Sequence, residues 1–137
     1  MKYVLDASVA LKWVLPESDS AKALVLQDEF AKQLVDLVAP DIFPVEVAHV
    51  LAKAERRKII SPPVGSQYLT DILNNCPHLE PSLGLLARAF EIASNARIGV
   101  YDCLYVALAE REKAPLITAD QRLLGLQGFP LLDLASF

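Results

Sequence analysis

The chain has few of the features that would tie its function to disulfides or structural zinc. Its 137 residues include only two cysteines, Cys76 and Cys103, which lie far apart in the sequence. This spacing excludes a structural zinc site of the usual kind, and a disulfide is not expected in a reducing compartment. We therefore interpret both cysteines as small buried hydrophobic residues.

Long apolar runs are also missing. The apolar segment VALKWVLPES is interrupted by Lys12, so it is too short to span a bilayer. The N-terminus lacks the uninterrupted apolar core and the small-residue cleavage site of a signal peptide. We therefore expect a soluble protein of the cytoplasm.

Positive charge is scarce. The chain has 13 Lys and Arg residues against 17 Asp and Glu residues, a formal net charge of −4, and a pI near 5.1. This balance excludes a protein that holds nucleic acid by general electrostatic attraction. Any role on RNA or DNA must depend on a local site, on bound metal, or on a partner that supplies the positive charge.

The chain does contain a regular alternation of strand-like and helix-like segments. Short apolar runs predict strands, and longer segments with helical periodicity separate them. This order predicts an α/β fold with three α/β/α layers and a mostly parallel central sheet of about five strands. We interpret residues 1–137 as a single domain. The predicted strands are 2–5, 36–40, 78–81, 114–120 and 129–134, of which 78–81 is a weak candidate.

Four acids stand out by their position relative to these elements. Asp6 and Asp120 each follow a predicted strand, at the edge where parallel sheets place their ligand sites. Glu46 lies in the first turns of the helix after the second strand, and Asp102 begins a helix. Converging carboxylates repel one another unless a cation is bound, and Mg²⁺ and Mn²⁺ prefer oxygen ligands. The pattern therefore predicts a divalent metal site.

Two hydroxyl residues fit the same hypothesis. Ser8 and Thr118 each lie two residues from a strand-end acid. Their hydroxyls would hold a metal-bound water or a ligand carboxylate in place. A bound metal would lower the pKa of a coordinated water and neutralise charge that builds up on a phosphate.

Each acid also has a simpler interpretation. Asp6, Asp102 and Asp120 are all placed to act as helix N-caps, and for each one alone capping is favoured. Glu46 borders an apolar stripe formed by residues 43, 47, 50 and 54, where a half-buried acid needs a partner. A salt bridge to His49 or Lys53 would supply that partner without any catalytic role.

The order of four motifs resembles the PIN domain, with the VapC-type toxins of bacterial and archaeal toxin–antitoxin pairs as the nearest match. The motifs are VLDASVALKWVLPE, APDIFPVEVAHVLAKAERRK, VYDCLYVALAE and LITADQRL. The resemblance runs from residue 2 to about residue 124. It implies a PIN-like fold, and it maps the acids of the family onto Asp6, Glu46, Asp102 and Asp120 and the supporting hydroxyls onto Ser8 and Thr118.

The resemblance also implies a function. It implies a Mg²⁺- or Mn²⁺-dependent endoribonuclease, the toxin of a type II toxin–antitoxin system, that hydrolyses RNA phosphodiester bonds through metal-activated water. It further implies a cognate VapB-type antitoxin and a homodimer, for which apolar helix faces such as AKALVL are available. Lys12, Arg97 and Arg122 are candidates to contact the RNA backbone, although lone basic residues are more often solvated surface.

Other functions compete with this one. The main alternative is a catalytically silent PIN scaffold that binds protein or RNA. A metal-free ribonuclease would need a general acid and base, and the two histidines, His49 and His78, are interpreted as structural or surface residues. An aspartyl-nucleophile hydrolase would carry an acid where Ser8 stands. A phosphoacceptor receiver domain would carry a lysine in the strand PLIT.

Overall fold

The computed structural model describes residues 1–137. Five strands form one sheet in the order β3-β2-β1-β4-β5, and every neighbouring pair is parallel. This confirms the predicted α/β fold, and the sheet is parallel throughout. The strands are β1 (Lys2–Leu5), β2 (Asp36–Pro40), β3 (His78–Glu80), β4 (Leu116–Thr118) and β5 (Leu131–Asp133).

Seven α-helices connect and cover the strands. Apart from the short α1, they lie in the segments for which the sequence predicts helices, and most are a few residues shorter than those segments, which are 18–34, 41–58, 61–75, 82–96, 101–113 and 121–126. Short 3₁₀ turns precede α5 and close the chain. The helices are α1 (Ala7–Leu11), α2 (Ser20–Ala31), α3 (Phe43–Arg56), α4 (Pro62–Leu73), α5 (Leu86–Ala96), α6 (Val100–Glu112) and α7 (Gln121–Leu124).

The topology creates a crevice beside β1. From β1 the chain builds the sheet outwards through β2 and β3, and then returns to the other side of β1 to add β4 and β5. The direction of winding therefore changes between β1 and β4, and ligands of such sheets bind at the carboxyl ends of the strands at this point. Asp6 follows β1 and Asp120 lies two residues beyond β4.

The core positions α6 behind the sheet. Residues 103–109 of this helix are all buried, so α6 is packed on every side and not along one stripe only. Trp13 is also a core residue, and its Nε1 donates a hydrogen bond to the Ala23 carbonyl at 2.9 Å. Cys103 is buried as predicted, whereas Cys76 is only half-buried, and neither forms a disulfide.

The start and the rotation of α3 differ from the prediction. The helix begins at Phe43, and Asp41 accepts a hydrogen bond from the Ser82 backbone N–H at 3.2 Å. The buried stripe continues through Leu51 and not through Val50, which is 36% exposed. Val50 therefore faces outwards beside Glu46. None of the helices combines the length and the apolar character needed to cross a membrane.

Candidate active site

All four predicted acids line one cavity. Asp6, Glu46, Asp102 and Asp120 border a space of about 520 Å³, together with Ser8. The acids come from the end of β1, the first turn of α3, the first turn of α6 and the loop after β4. Parallel strand ends and helix starts therefore bring together residues that are up to 114 positions apart in the sequence.

Asp6 is held by two hydroxyls at the end of β1. The Ser8 Oγ and the Thr118 Oγ1 both donate to Asp6 Oδ2, each at 2.7 Å. In turn the Ser8 Oγ accepts from the Ala119 N–H at 3.2 Å, and the Thr118 Oγ1 accepts from the Asp120 N–H at 3.0 Å. This network fixes the carboxylate and joins the ends of β1 and β4.

Helix capping explains only one of the acids. Asp6 precedes α1 but its side chain makes no capping hydrogen bond. Asp102 is the third residue of α6, whose N-cap is Gly99. Asp120 alone acts as a cap, since its side chain accepts from the Arg122 N–H at 2.9 Å. The other carboxylates need another reason to lie at the cavity.

Glu46 forms no ion pair and its Oε1 accepts no hydrogen bond, although the Tyr105 hydroxyl lies close enough to lower its pKa. Neither His49 nor Lys53 forms a salt bridge with it, and its Oε1 is buried without a hydrogen bond. The hydroxyl of Tyr105 is likewise buried without a hydrogen-bond partner. An unpaired buried carboxylate oxygen lowers stability, so the position is better explained by a ligand than by folding.

Burial and mutual repulsion shift the pKa values of three acids upwards. Burial raises the pKa of Asp6, which the two hydroxyl hydrogen bonds oppose and the charges of Asp102 and Asp120 reinforce. Burial likewise raises the pKa of Glu46, and the charges of Asp6 and Asp102 raise it further, although the Tyr105 hydroxyl opposes the rise. The pKa of Asp102 is raised mainly by burial. A cation in the cavity would favour the ionised form of all three.

Arg122 supplies the only cation within the acidic cluster. Its Nη2 lies 2.9 Å from Asp120 Oδ2 and 3.4 Å from Asp102 Oδ2. Hydrogen bonds from Arg122 lower the pKa of Asp120, in contrast with the other acids. The guanidinium is therefore engaged with carboxylates, and its contact with RNA stays a prediction.

Lys12 is likewise engaged within the protein. It is 9% exposed, and its Nζ donates to the Ser18 carbonyl at 2.8 Å. Arg97 ends α5 and makes no ion pair, so it stays available.

The donor set fits a hard divalent cation. The four carboxylates and the Ser8 hydroxyl at the cavity supply only oxygen, and Glu46 Oε1 accepts no hydrogen bond. Asp6 uses Oδ2 for both hydroxyl bonds, so its Oδ1 is left for another ligand. No three acidic, His or Cys side chains lie at the spacing needed to coordinate one ion at once. Direct coordination by several acids would therefore require side-chain rotation, or water molecules between ion and carboxylate.

The rim of the cavity contains residues that the sequence analysis missed. Tyr101 is 66% exposed and Val45 is 71% exposed, and both line the cavity beside the acids. In the sequence, only the position of Tyr101 next to Asp102 indicated that Tyr101 would lie at the cavity. His49 is a surface residue as predicted, but it also borders the cavity, whereas His78 is exposed on β3.

Comparisons with known proteins find a family, a relative and solved structures that resemble this chain. The PIN domain family matches residues 3–127. Ribonuclease VapC3 of Pyrobaculum aerophilum is 32% identical over 134 residues, which cover 96% of this chain and 98% of that protein.

Two solved structures share the fold. PAE2754 from Pyrobaculum aerophilum superposes with a TM-score of 0.73 at 22% identity and covers 98% of this chain and 90% of its own. VapBC2 from Rickettsia felis, solved bound to a DNA fragment from their promoter, gives a TM-score of 0.66 at 16% identity, with 97% and 98% covered.

Proposed function

The chain belongs to the PIN domain family, with VapC ribonucleases as its relatives, and from this membership and the acidic cavity we infer that it is a metal-dependent endoribonuclease. In this proposal it is the toxin of a type II toxin–antitoxin pair. The observation that carries the proposal is the convergence of four carboxylates on one cavity in which Glu46 Oε1 has no protein partner.

Each side chain has a role in this proposal. Asp6, Glu46 and Asp102 would hold Mg²⁺ or Mn²⁺, and Asp120 would complete the site directly or through water. When bound, the ion supplies an activated water and neutralises charge on the phosphate. Ser8 and Thr118 keep the Asp6 carboxylate fixed at 2.7 Å from both hydroxyls. Fixed carboxylates would hold the ion in one place with little reorganisation during the reaction.

The first test is cleavage of total cellular RNA by the purified protein without antitoxin. The reaction would run with Mn²⁺ or Mg²⁺ and in parallel with EDTA, and sequencing would map the new 5′ ends. We expect discrete 5′-phosphate ends that require metal and disappear in Asp102→Asn. The matched control is Asp28→Asn, because Asp28 lies on α2 outside the cavity and its side chain is 60% exposed.

The outcomes of this test separate the candidate functions. Cleavage that persists in EDTA would contradict the metal-dependent mechanism. Absence of cleavage by the folded wild type, with every cellular RNA present, would favour the silent scaffold that binds protein or RNA.

The partners belong to the same proposal. A VapB-type antitoxin is supported by the fold shared with the Rickettsia felis VapBC2 complex. Homodimerisation is supported by exposed apolar side chains on α2, where Leu24 is 44% exposed and Val25 is 52% exposed. Light scattering after size exclusion would measure the mass of the isolated chain.

A further inference from the structure

The cations of this chain are unevenly distributed. Of the 13 Lys and Arg residues, five pair with acids, two donate to backbone carbonyls, and six do neither. Four of these six are consecutive or nearly so in one exposed segment at the end of α3. They are Lys53, Arg56, Arg57 and Lys58.

The acid within this segment does not neutralise it. Glu55 is half-buried and turns towards Gly65 of α4, where a Cβ would overlap its carboxylate. It forms no ion pair with its basic neighbours. A chain with a net charge of −4 therefore presents a local positive surface of four unpaired side chains.

One face of α3 joins this positive surface to the acidic cavity. Glu46, His49 and Val50 line the cavity, while Val50, Lys53 and Arg57 line a second groove of about 550 Å³. Glu46, Val50, Lys53 and Arg57 follow one another at spacings of four, three and four residues, which places them along one side of the helix. Since Val50 borders both spaces, the cavity and the groove are adjacent.

The dimensions suit a strand of nucleic acid. At 1.5 Å per residue, Lys53 lies about 10 Å and Arg57 about 16 Å from Glu46 along the helix axis. A strand whose scissile phosphate lies at the acids would bring phosphates a few nucleotides away to these two cations.

The groove also offers apolar surface for bases. Leu15, Ile60 and Tyr68 line it, and Glu17 is its one acidic residue. Grooves that bind single strands combine cations that follow the backbone with aromatic and apolar side chains that contact the bases. The combination here is of that kind.

We propose that the outer face of α3, from His49 to Arg57, binds the backbone of single-stranded RNA beside the cleavage site, with Lys53 and Arg57 contacting two phosphates. This inference rests on the proposed endoribonuclease activity, because it places on α3 the part of the RNA strand that extends from the same cavity.

The test is the salt dependence of RNA binding. The probe is a fluorescein-labelled single-stranded RNA of mixed sequence and about 10 nucleotides, within the site sizes of single-strand grooves. Binding would be measured by anisotropy in the Asp102→Asn background with EDTA, from about 50 to 200 mM monovalent salt. The test variant is Lys53→Gln with Arg57→Gln. Both residues are exposed, and Gln forms helix nearly as well as Lys or Arg.

Two matched variants control for charge and for folding. Lys32→Gln with Lys113→Gln removes two positive charges outside the groove, one paired with Asp28 and one unpaired, from residues that follow α2 and α6. Lys53→Arg with Arg57→Lys keeps the charge in place. Thermal unfolding would verify that all variants are folded.

A single-strand phosphate contact contributes about 0.7 to the slope of log K against log salt. We therefore expect Lys53→Gln with Arg57→Gln to lower the magnitude of the slope by about 1.4, while both controls keep the slope of the parent. A test variant with the slope of its controls would overturn the inference. Binding of polyglutamate to the test variant and to its parent would be measured in parallel. If the slope for RNA is unchanged but the test variant binds polyglutamate more weakly, the surface binds an acidic protein partner, and this also overturns the inference.

The same design separates this inference from the proposed function. If the wild type cleaves RNA but the slope is unchanged, only the α3 surface is wrongly assigned. If the wild type cleaves no RNA and the parent binds none, both proposals fail.

Discussion

The ends of β1 and β4 present the same sequence pattern in two different environments. Each strand is followed by an aspartate that precedes a helix. Asp6 is 6% exposed, bonded only to hydroxyls, and has a raised pKa. Asp120 is half-buried, caps α7 and pairs with Arg122, and its pKa is lowered.

The difference shows which carboxylate costs stability. Asp120 is satisfied by protein donors, so its charge stabilises the fold. Asp6 is buried beside two other acids. Burial and the charges of these acids make its ionised form unfavourable, and its pKa is therefore raised. Residues that lower stability in this way are typical of functional sites. Substitutions at the two strand ends should therefore have opposite consequences.

The largest effect is expected for Asp6→Asn. Loss of this carboxylate should reduce RNA cleavage by about 10³-fold, or ~4 kcal/mol of transition-state stabilisation. The measurement is initial cleavage rate with saturating Mn²⁺. A residual rate within a few-fold of wild type would show that Asp6 is not a metal ligand.

The same variant should be more stable without metal. The Asn Oδ1 can accept the hydrogen bonds that Ser8 and Thr118 now donate, and the buried charge is gone. We expect its Tm in EDTA at neutral pH to exceed that of the wild type by a few degrees. Added Mn²⁺ should raise the Tm of the wild type more than that of the variant. Asp120→Asn should instead lower the Tm slightly, because Asn caps a helix as well as Asp but lacks the charge that pairs with Arg122 and that the start of α7 favours.

The next effect concerns the residue that joins the two strand ends. Thr118→Val removes the hydroxyl that donates to Asp6 and accepts from the Asp120 N–H. Both groups would lose a buried partner, at a cost of about 1–3 kcal/mol, and activity should fall about 10–100-fold. Cleavage rate and thermal unfolding would be measured together.

Thr118→Ser is the matched control for this substitution. It keeps the hydroxyl and removes only a buried methyl, at about 0.8 kcal/mol. We expect both variants to lose stability but only Thr118→Val to lose activity. Equal activity in the two variants would mean that the hydroxyl does not position Asp6.

The two strand ends could be predicted from sequence because the signal is local. A short apolar run followed by an acid marks a strand end, and strand ends of a parallel sheet share one edge. The convergence of Asp6 and Asp120 follows from that rule. Their opposite environments do not, since Arg122 reaches Asp102 across 20 positions of sequence.

The rotation of α3 was likewise beyond the sequence pattern. Val50 and Leu51 are both apolar, so periodicity allows either to join the stripe with Phe43 and Val47. Packing buries Leu51 and exposes Val50, and this determines that Glu46 and Lys53 border adjacent grooves. The alternation of strands and helices predicts that the strands pair in parallel. It does not predict their order in the sheet, β3-β2-β1-β4-β5.

The smallest effect on stability and on metal affinity is expected for Arg122→Gln, which removes the cation at the β4 end. The guanidinium is 69% exposed and pairs with Asp120 and Asp102, so solvent screens the pairs and stability should change little. Its removal leaves both carboxylates without their cation, so Mn²⁺ should bind a few-fold more tightly. Calorimetric titration would measure this, with Arg111→Gln as control because Arg111 pairs with Glu80 and Glu112 and not with the acids of the cavity. Weaker Mn²⁺ binding in Arg122→Gln would instead mean that Arg122 orients Asp102 and Asp120 for the metal.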